Sequence, residues 1–263
     1  MLMVDKKIFL FKIKEVYFSD IPFNIEGCHD LNFIYCKKKV DVDGFTCKKE
    51  LTLVRDLTQD LDTIWQNIRK EGRRHIKRSE EKGIKIRISE EFDQFYKIYK
   101  SLFRKKKIAP LLGTFGFGII PLDTMKKYGT LFVAELDGEL LCGDVFLDDT
   151  HNVYSWVAAS NRLGVDKEKA RLIGSASRLC LWEAMKYYKE KSKKEFDLGG
   201  IWSEEEAEKD IGKKGINSFK LSLGGEIVTR YSYRKIYSKI FDFTRNLYSL
   251  RKLQITNKNV EDN

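Results

Sequence analysis

The stretch from Gly129 to Gly200 constrains the fold most, because its element types follow one another with few alternatives. Thr130–Leu136 is rich in strand-forming residues, and Asp137-Gly138 is a two-residue hairpin signal returning the chain through Leu140–Leu147. Asp148-Asp-Thr-His-Asn152 turns it again into Val153–Ala158. A loop rich in Asn, Arg, Gly and Asp leads to a long helical segment from about Lys167 to Lys191. A short strand, Glu195–Leu198, follows and is closed by Gly199-Gly200. A meander that passes through a helix and back into a strand calls for an α/β (α+β) fold. Its central sheet is mixed, mostly antiparallel and flanked by helices.

The flanks add elements of both kinds. Lys6 to Tyr17 alternates loosely, and Leu31–Lys39 and Thr46–Arg55 sit on either side of the turn Asp41-Val-Asp-Gly44, so residues 1–56 read as β-rich. From Thr58 the period is helical. Thr58 or Asp60 serves as cap, Leu61, Ile64, Trp65, Ile68 and Ile76 recur on one face, and Gly83 ends the run. A second helix is expected from about Ser89 to Lys105, with Phe92, Phe95, Tyr96, Tyr99, Leu102 and Phe103 on its apolar side. Ile108–Leu122, with two prolines and three glycines, reads as a loop; Gly113-Thr-Phe-Gly-Phe-Gly118 within it reads as a flexible segment over a cleft. Beyond Gly200 the pattern gives a charged helix near Glu204–Asp210, a glycine turn, the strand Glu226–Arg234, a helix from Tyr237 to Leu253 and a frayed tail at 254–263.

Composition narrows the function classes. With 42% apolar residues the chain of 263 buries a real core. No window reaches the roughly 18 apolar residues of a membrane span, and the first residues lack a signal-peptide core, so a cytoplasmic protein is expected. Cys28, Cys36, Cys47, Cys142 and Cys180 are odd in number, and the grouping of Cys28, His29, Cys36 and Cys47 fits no standard zinc spacing. Free buried thiols and no metal are expected. Only His29, His75 and His151 are available, and neither a Gly-x-Ser-x-Gly nor a phosphate-loop string occurs, which leaves little for a hydrolase triad.

Charge points to an anionic partner. Lys and Arg exceed Asp and Glu by 49 to 39, for a net +10. RNA, a phosphorylated metabolite or an anionic membrane surface would each match, as would plain solubility. The helix from Asp62 to Lys82 concentrates this charge: Arg69, Arg73 and Lys77 form one row, and Lys70, Arg74 and Arg78 another. Phosphate contacts are the functional reading, to tRNA or to a diphosphate, and a solvated face is the structural one. The helix lacks the broad apolar face of a membrane-surface binder.

Phe196-Asp-Leu-Gly-Gly200, the run Asn217-Ser-Phe-Lys220-Leu-Ser-Leu-Gly-Gly-Glu226 and the upstream segment Leu57 to Ile84 together resemble the Fem family of peptidoglycan-bridge aminoacyltransferases. That family belongs to the GNAT acyltransferase superfamily, and the resemblance spans roughly residues 52–235. It implies a GNAT-like acyl-CoA N-acyltransferase fold over 57–253, with residues 1–56 a remnant of the first of the two GNAT-like halves that Fem enzymes carry. It implies transfer of an aminoacyl group from aminoacyl-tRNA to an amine of a phosphorylated cell-wall precursor, with no tightly bound cofactor. An acyl-CoA-dependent N-acyltransferase of an amino sugar or amino acid is the enzyme alternative; a non-catalytic RNA-binding module is the other.

By the same resemblance Lys220, beside Phe219, takes the catalytic position, held next to a strand where a fixed cation stabilises the acyl oxyanion. Asp197 either handles the amine or caps the turn made by Gly199 and Gly200, which join the substrate-binding set. Arg104 is the nearest match to a diphosphate-binding arginine, and Tyr154 and Trp156, two apart on a strand, to a substrate-side aromatic pair. Arg171-Leu-Ile-Gly174-Ser-Ala176 fits the pyrophosphate string of acyl-CoA enzymes. It lies inside the expected helix, where Gly174 equally serves close packing.

Overall fold

The computed structural model describes residues 1–105 and 119–244, without the side chains of 103–105. The glycine-rich run 113–118, the remainder of the segment 237–253 expected to be helical and the tail at 254–263 lie outside the described residues.

The described strands form one sheet in the order β1-β2-β3-β10-β4-β9-β8-β7-β6-β5. Their ranges are β1 Leu2–Ile8, β2 Phe11–Tyr17, β3 Asp30–Cys36, β4 Thr46–Asp56 and β5 Lys85–Ile88, then β6 Thr130–Leu136, β7 Glu139–Asp148, β8 Asn152–Ser160, β9 Glu195–Ile201 and β10 Glu226–Ile236. Pairing is antiparallel except at β2–β3 and β8–β9. The sheet is thus mixed and mostly antiparallel, as the element pattern requires. Asp137 and Gly138 both take positive φ, 50° and 80°, the turn that a tight hairpin between β6 and β7 demands. The four-residue β5, not foreseen, follows Gly83 at φ +74° and pairs with β6.

Helix α5 (Lys167–Glu190) is capped by Asp166, whose side chain accepts from the Lys169 amide. Its Ala176, Leu179, Met185 and Tyr188 pack with Phe146 and Phe196 of the sheet in the largest core cluster. Helix α3 (Phe92–Lys105) helps build a second cluster, where Phe92, Phe95 and Tyr99 meet Leu131, Val145 and Met125 of α4 (Leu122–Tyr128). All five cysteines are free. Cys36, Cys142 and Cys180 are buried as expected, whereas Cys47 is exposed on β4.

The helix expected from Asp62 to Lys82 is two helices, α1 (Leu61–Asn67) and α2 (Lys70–Glu81), separated at Ile68–Arg69 by extended backbone. The turn after residue 221 forces the break. The Arg69 amide donates to the Ser222 carbonyl at 3.1 Å. A β-carbon on Gly72 would lie 2.2 Å from that same oxygen, so only glycine lets α2 rest on it. Gly72→Ala is therefore expected to destabilise by about 2–3 kcal/mol through overpacking. In a chain of this size that is a Tm drop of about 5–10 °C. The same substitution in an open helix would raise stability, so calorimetry showing an unchanged or higher Tm contradicts this packing.

Candidate active site

Two short helices follow β9: α6 (Glu204–Glu208) and α7 (Ile211–Leu221). Between Asp210 and the strand at Glu226, where a glycine turn is expected, most of the chain is α7. Asp210 accepts from the amides of Gly212 at 2.8 Å and Lys213 at 3.1 Å, and this cap outweighs the low helix propensity of Gly212 and Gly215. Lys220 consequently sits in the last turn of a helix rather than at the entry to a strand.

From there Lys220 reaches across to β9, where its Nζ donates to the Gly200 carbonyl at 2.7 Å. The two glycines make room for this. β9 does not end at Leu198 but continues to Ile201, with an irregular register against β4 between Thr52 and Val54. Gly199 occupies the bulge at φ +79°; a β-carbon there would stand 3.5 Å from the Lys220 nitrogen, and one on Gly200 would meet the Tyr35 hydroxyl at 2.9 Å. Desolvation lowers the Lys220 ammonium to about 8, against the opposing pull of Asp197 and Asp144. Asp197 is buried beneath the bulge, where its Oδ1 accepts from the Gly199 amide at 2.7 Å. Burial raises it to about 6. Its carboxylate holds the turn and does not border the cleft.

Asp144 was not singled out by sequence reasoning, and it is the second ionisable group of the site. It lies on β7, is 4% exposed, and borders the cleft. Its Oδ2 accepts from Ser155 Oγ at 2.8 Å, while Oδ1 has no hydrogen-bond partner among the described residues. Burial raises the acid to about 7, with Ser155 and Lys220 pulling the other way. The signal was an acid inside the apolar run Leu140-Leu-Cys-Gly-Asp-Val-Phe-Leu147, since a carboxylate is seldom buried without a task. Ser155 was hidden by a different feature. β8 carries an irregularity opposite Val145 and Phe146, so strand alternation breaks and Ser155 borders the cleft together with Tyr154 and Trp156. The Tyr154 ring stacks on Tyr17 at 5.6 Å and meets Tyr35 edge-on at 5.7 Å.

The cleft has a volume of about 1710 Å³, and several guanidinium groups border it. Arg74 and Arg78 of α2, Arg162 from the loop after β8, and Arg171 and Arg178 of α5 all border it. Arg178 is buried; it donates to Ser222 Oγ at 2.8 Å and to the Gly174 carbonyl at 2.9 Å, and its guanidinium lies 4.6 Å from the centre of the Phe219 ring. Phe219 is thus a platform for Arg178 as well as the neighbour of Lys220. His75 Nδ1 is 2.8 Å from Ser175 Oγ, and burial and Arg178 lower its basicity, so the ring stays neutral near pH 7.

The other expected cations have different places. Arg73 turns inward and donates to the carbonyls of Gln66 and Ile68 at 2.7 and 2.6 Å, closing the end of α1. Arg69 and Lys77 are exposed and do not border the cleft. The Arg104 side chain lies outside the described residues. Arg171 to Ala176 falls within α5, so its amides are engaged in the helix rather than open to an anion. What Gly174 offers is a bare surface, with Arg162 and Arg178 nitrogens each 4.0 Å from where a β-carbon would be.

A mixed sheet with a Gly-Gly bulge, a lysine aimed at it and a cleft bordered by guanidinium groups make up the candidate site. The chain belongs to the acetyltransferase (GNAT) domain family, whose model matches residues 66–210. It is a GNAT-fold acyltransferase. FemX shares the fold at a TM-score of 0.60 and 13% identity, over 94% of this chain and 85% of that one. The C-terminal domain of a lysylphosphatidylglycerol synthetase from Agrobacterium fabrum aligns at 0.53 and 13% identity, over 78% and 67%. L-PGS from Bacillus licheniformis aligns at 0.50 and 15% identity, over 83% and 71%. No curated protein matches the chain. The GNAT reading of the sequence is borne out in family, and the fold is one that FemX shares.

Proposed function

We propose that the protein transfers an aminoacyl group from aminoacyl-tRNA to an amine of a phosphorylated cell-wall peptide precursor. The observation that carries this is one open cleft bordered both by Arg74, Arg78, Arg162 and Arg171 and by Lys220 and Asp144. A row of guanidinium side chains, rather than one set of helix amides, suits the successive phosphates of a nucleic acid backbone. The shared fold with a lysylphosphatidylglycerol synthetase domain, named for an aminoacylated product, supports an aminoacyl group as the one transferred.

In this reading the acceptor nitrogen attacks the ester carbonyl and forms the amide bond, while the bond to the tRNA ribose oxygen breaks. The carbonyl oxygen turns anionic beside the Lys220 ammonium, which is desolvated and therefore strong in stabilising it. Asp144 Oδ1 takes the proton released by the amine and passes it to the departing ribose oxygen, which leaves as a hydroxyl and returns Asp144 to its carboxylate form. Tyr154 and Trp156 flank the acceptor. Asp197 acts indirectly, by fixing the Gly199 bulge and keeping Lys220 cationic. A purely RNA-binding role leaves the buried lysine and carboxylate without a purpose.

The acyl-CoA alternative has one observation in its favour, the pair Arg162 and Arg178 around Gly174, which fits a pyrophosphate. Thermal unfolding with each donor separates the two. A ligand present at 100 times its Kd adds about 2.7 kcal/mol to stability. Charged tRNA is expected to raise Tm and acetyl-CoA to leave it unchanged; a clear rise with acetyl-CoA alone overturns the tRNA assignment.

A further inference from the structure

The hairpin between β1 and β2 turns through Phe9 and Leu10, within the string Lys7-Ile-Phe-Leu-Phe-Lys12. Phe9 is 77% and Leu10 83% exposed. Phe9 also holds φ +55°, a left-handed conformation that strains any residue with a β-carbon. Two-residue hairpins ordinarily place glycine or asparagine there. Folding alone favours neither residue at this tip, since both are left in water and one is strained.

The charges behind the tip are equally unfavourable in isolation. Lys7 and Lys12 are direct cross-strand partners, a like-charge pair that weakens a hairpin. The adjacent Lys6 and Lys14 are neutralised by Glu15 at 2.5 Å and Asp5 at 2.6 Å. Lys7 and Lys12 have no carboxylate partner among the described residues.

A second apolar element stands beside the first. Phe11 meets Phe241 edge-on at 5.0 Å. Around the buried Phe241 the helical residues 239–244 expose Ile240 at 71% and Phe243 at 63%, next to the exposed Lys239. Asp242 is the acid of this turn. Two elements locked by an aromatic contact thus present apolar side chains ringed by lysines.

We propose that the β1–β2 tip and residues 239–244 form a peripheral docking surface for an anionic lipid bilayer. Such a bilayer offers negative headgroups over an apolar interior that interfacial side chains enter to a depth of about 5–10 Å, the same layering that the lysines and the tip present. A second copy of this chain matches poorly, because each carries a net charge of +10 and the patch itself is cationic. The tip lies beyond the Asp30 end of β3, while Tyr35 of the cleft is at the other end of that strand, so docking leaves the cleft open. The proposal does not depend on which acyl group is transferred.

The test is co-sedimentation of the full chain with vesicles of phosphatidylcholine alone or mixed with phosphatidylglycerol. Wild type is expected to bind the anionic vesicles, more weakly as salt rises, and to ignore the neutral ones. Phe9→Gly with Leu10→Asn gives the turn its preferred residues, so this variant keeps or raises Tm and turns over soluble substrates at the wild-type rate. Its partitioning onto anionic vesicles is expected to fall at least tenfold. Lys7→Glu with Lys12→Glu is expected to lose the preference for anionic lipid. Wild type that fails to bind phosphatidylglycerol vesicles, or a glycine–asparagine variant that binds as well, overturns the proposal. So does a wild-type dimer that becomes monomeric in that variant, which makes the patch a self-association surface.

Discussion

Lys220→Met lowers kcat by about 10²–10³-fold, the loss expected when a preorganised donor to an acyl oxyanion is removed. The fold survives, because methionine fills nearly the same volume and a desolvated ammonium is replaced by an apolar group. Removing a cation whose pKa burial has lowered to about 8 relieves a desolvation penalty at neutral pH, so Tm is unchanged or higher. Donor binding is also retained, since the arginines bordering the cleft are untouched. Single-turnover kinetics beside a Tm measurement decide the matter. A variant with wild-type kcat removes Lys220 from the chemistry, and one that is unfolded contradicts its place at the cleft.

Asp144→Asn is expected to reduce kcat by about 10²–10⁴-fold, the usual range for a missing general base. Two pH signatures distinguish this from a packing defect. Wild-type kcat rises as Asp144 ionises near 7 and falls as Lys220 loses its proton near 8, a narrow bell whose limbs belong to the interacting pair. The asparagine variant loses the acid limb. Stability moves in the other direction. The folded-state pKa of Asp144 is raised from 3.8 to about 7, so folding favours the protonated acid. That contribution is complete below about pH 4 and lost as pH rises through 7. Asparagine cannot ionise, so the Tm of the variant relative to wild type climbs between pH 4 and 8. An equal loss of activity at every pH, with no such climb, assigns Asp144 a structural role only.

The deletion of a charge at each of these positions has a different consequence for the neighbours. Without Lys220, Asp144 and Asp197 lose a cation that favours their ionised forms, and both are expected to titrate at higher pH. Without Asp144, Lys220 keeps Asp197 as its counter-charge. The site therefore tolerates loss of the base better than loss of the lysine in its electrostatics, although both remove activity.

Local order in the chain was sufficient for much of this molecule. The strand–turn–strand pattern around Asp137-Gly138, the cap at Asp166 and the glycine pair after Asp197 each follow from neighbours within a few residues, and these are the interactions that periodicity and turn chemistry report. Lys220, Phe219, Tyr154 and Trp156 were pointed to by the family resemblance of short strings, and they meet in one cleft. Long-range contacts decided the rest. The split between α1 and α2 comes from Ser222, some 150 residues downstream of Gly72, which no helical period can register. The inward turn of Arg73 and the outward path of Arg74 and Arg78 follow from that split. Asp144 became a functional candidate only when the β8 irregularity brought Ser155 to one of its oxygens and α7 carried Lys220 over the Gly199 bulge. Burial, and the pKa changes it causes, is a property of the packed whole; an identical aspartate in a solvated strand would be an ordinary acid.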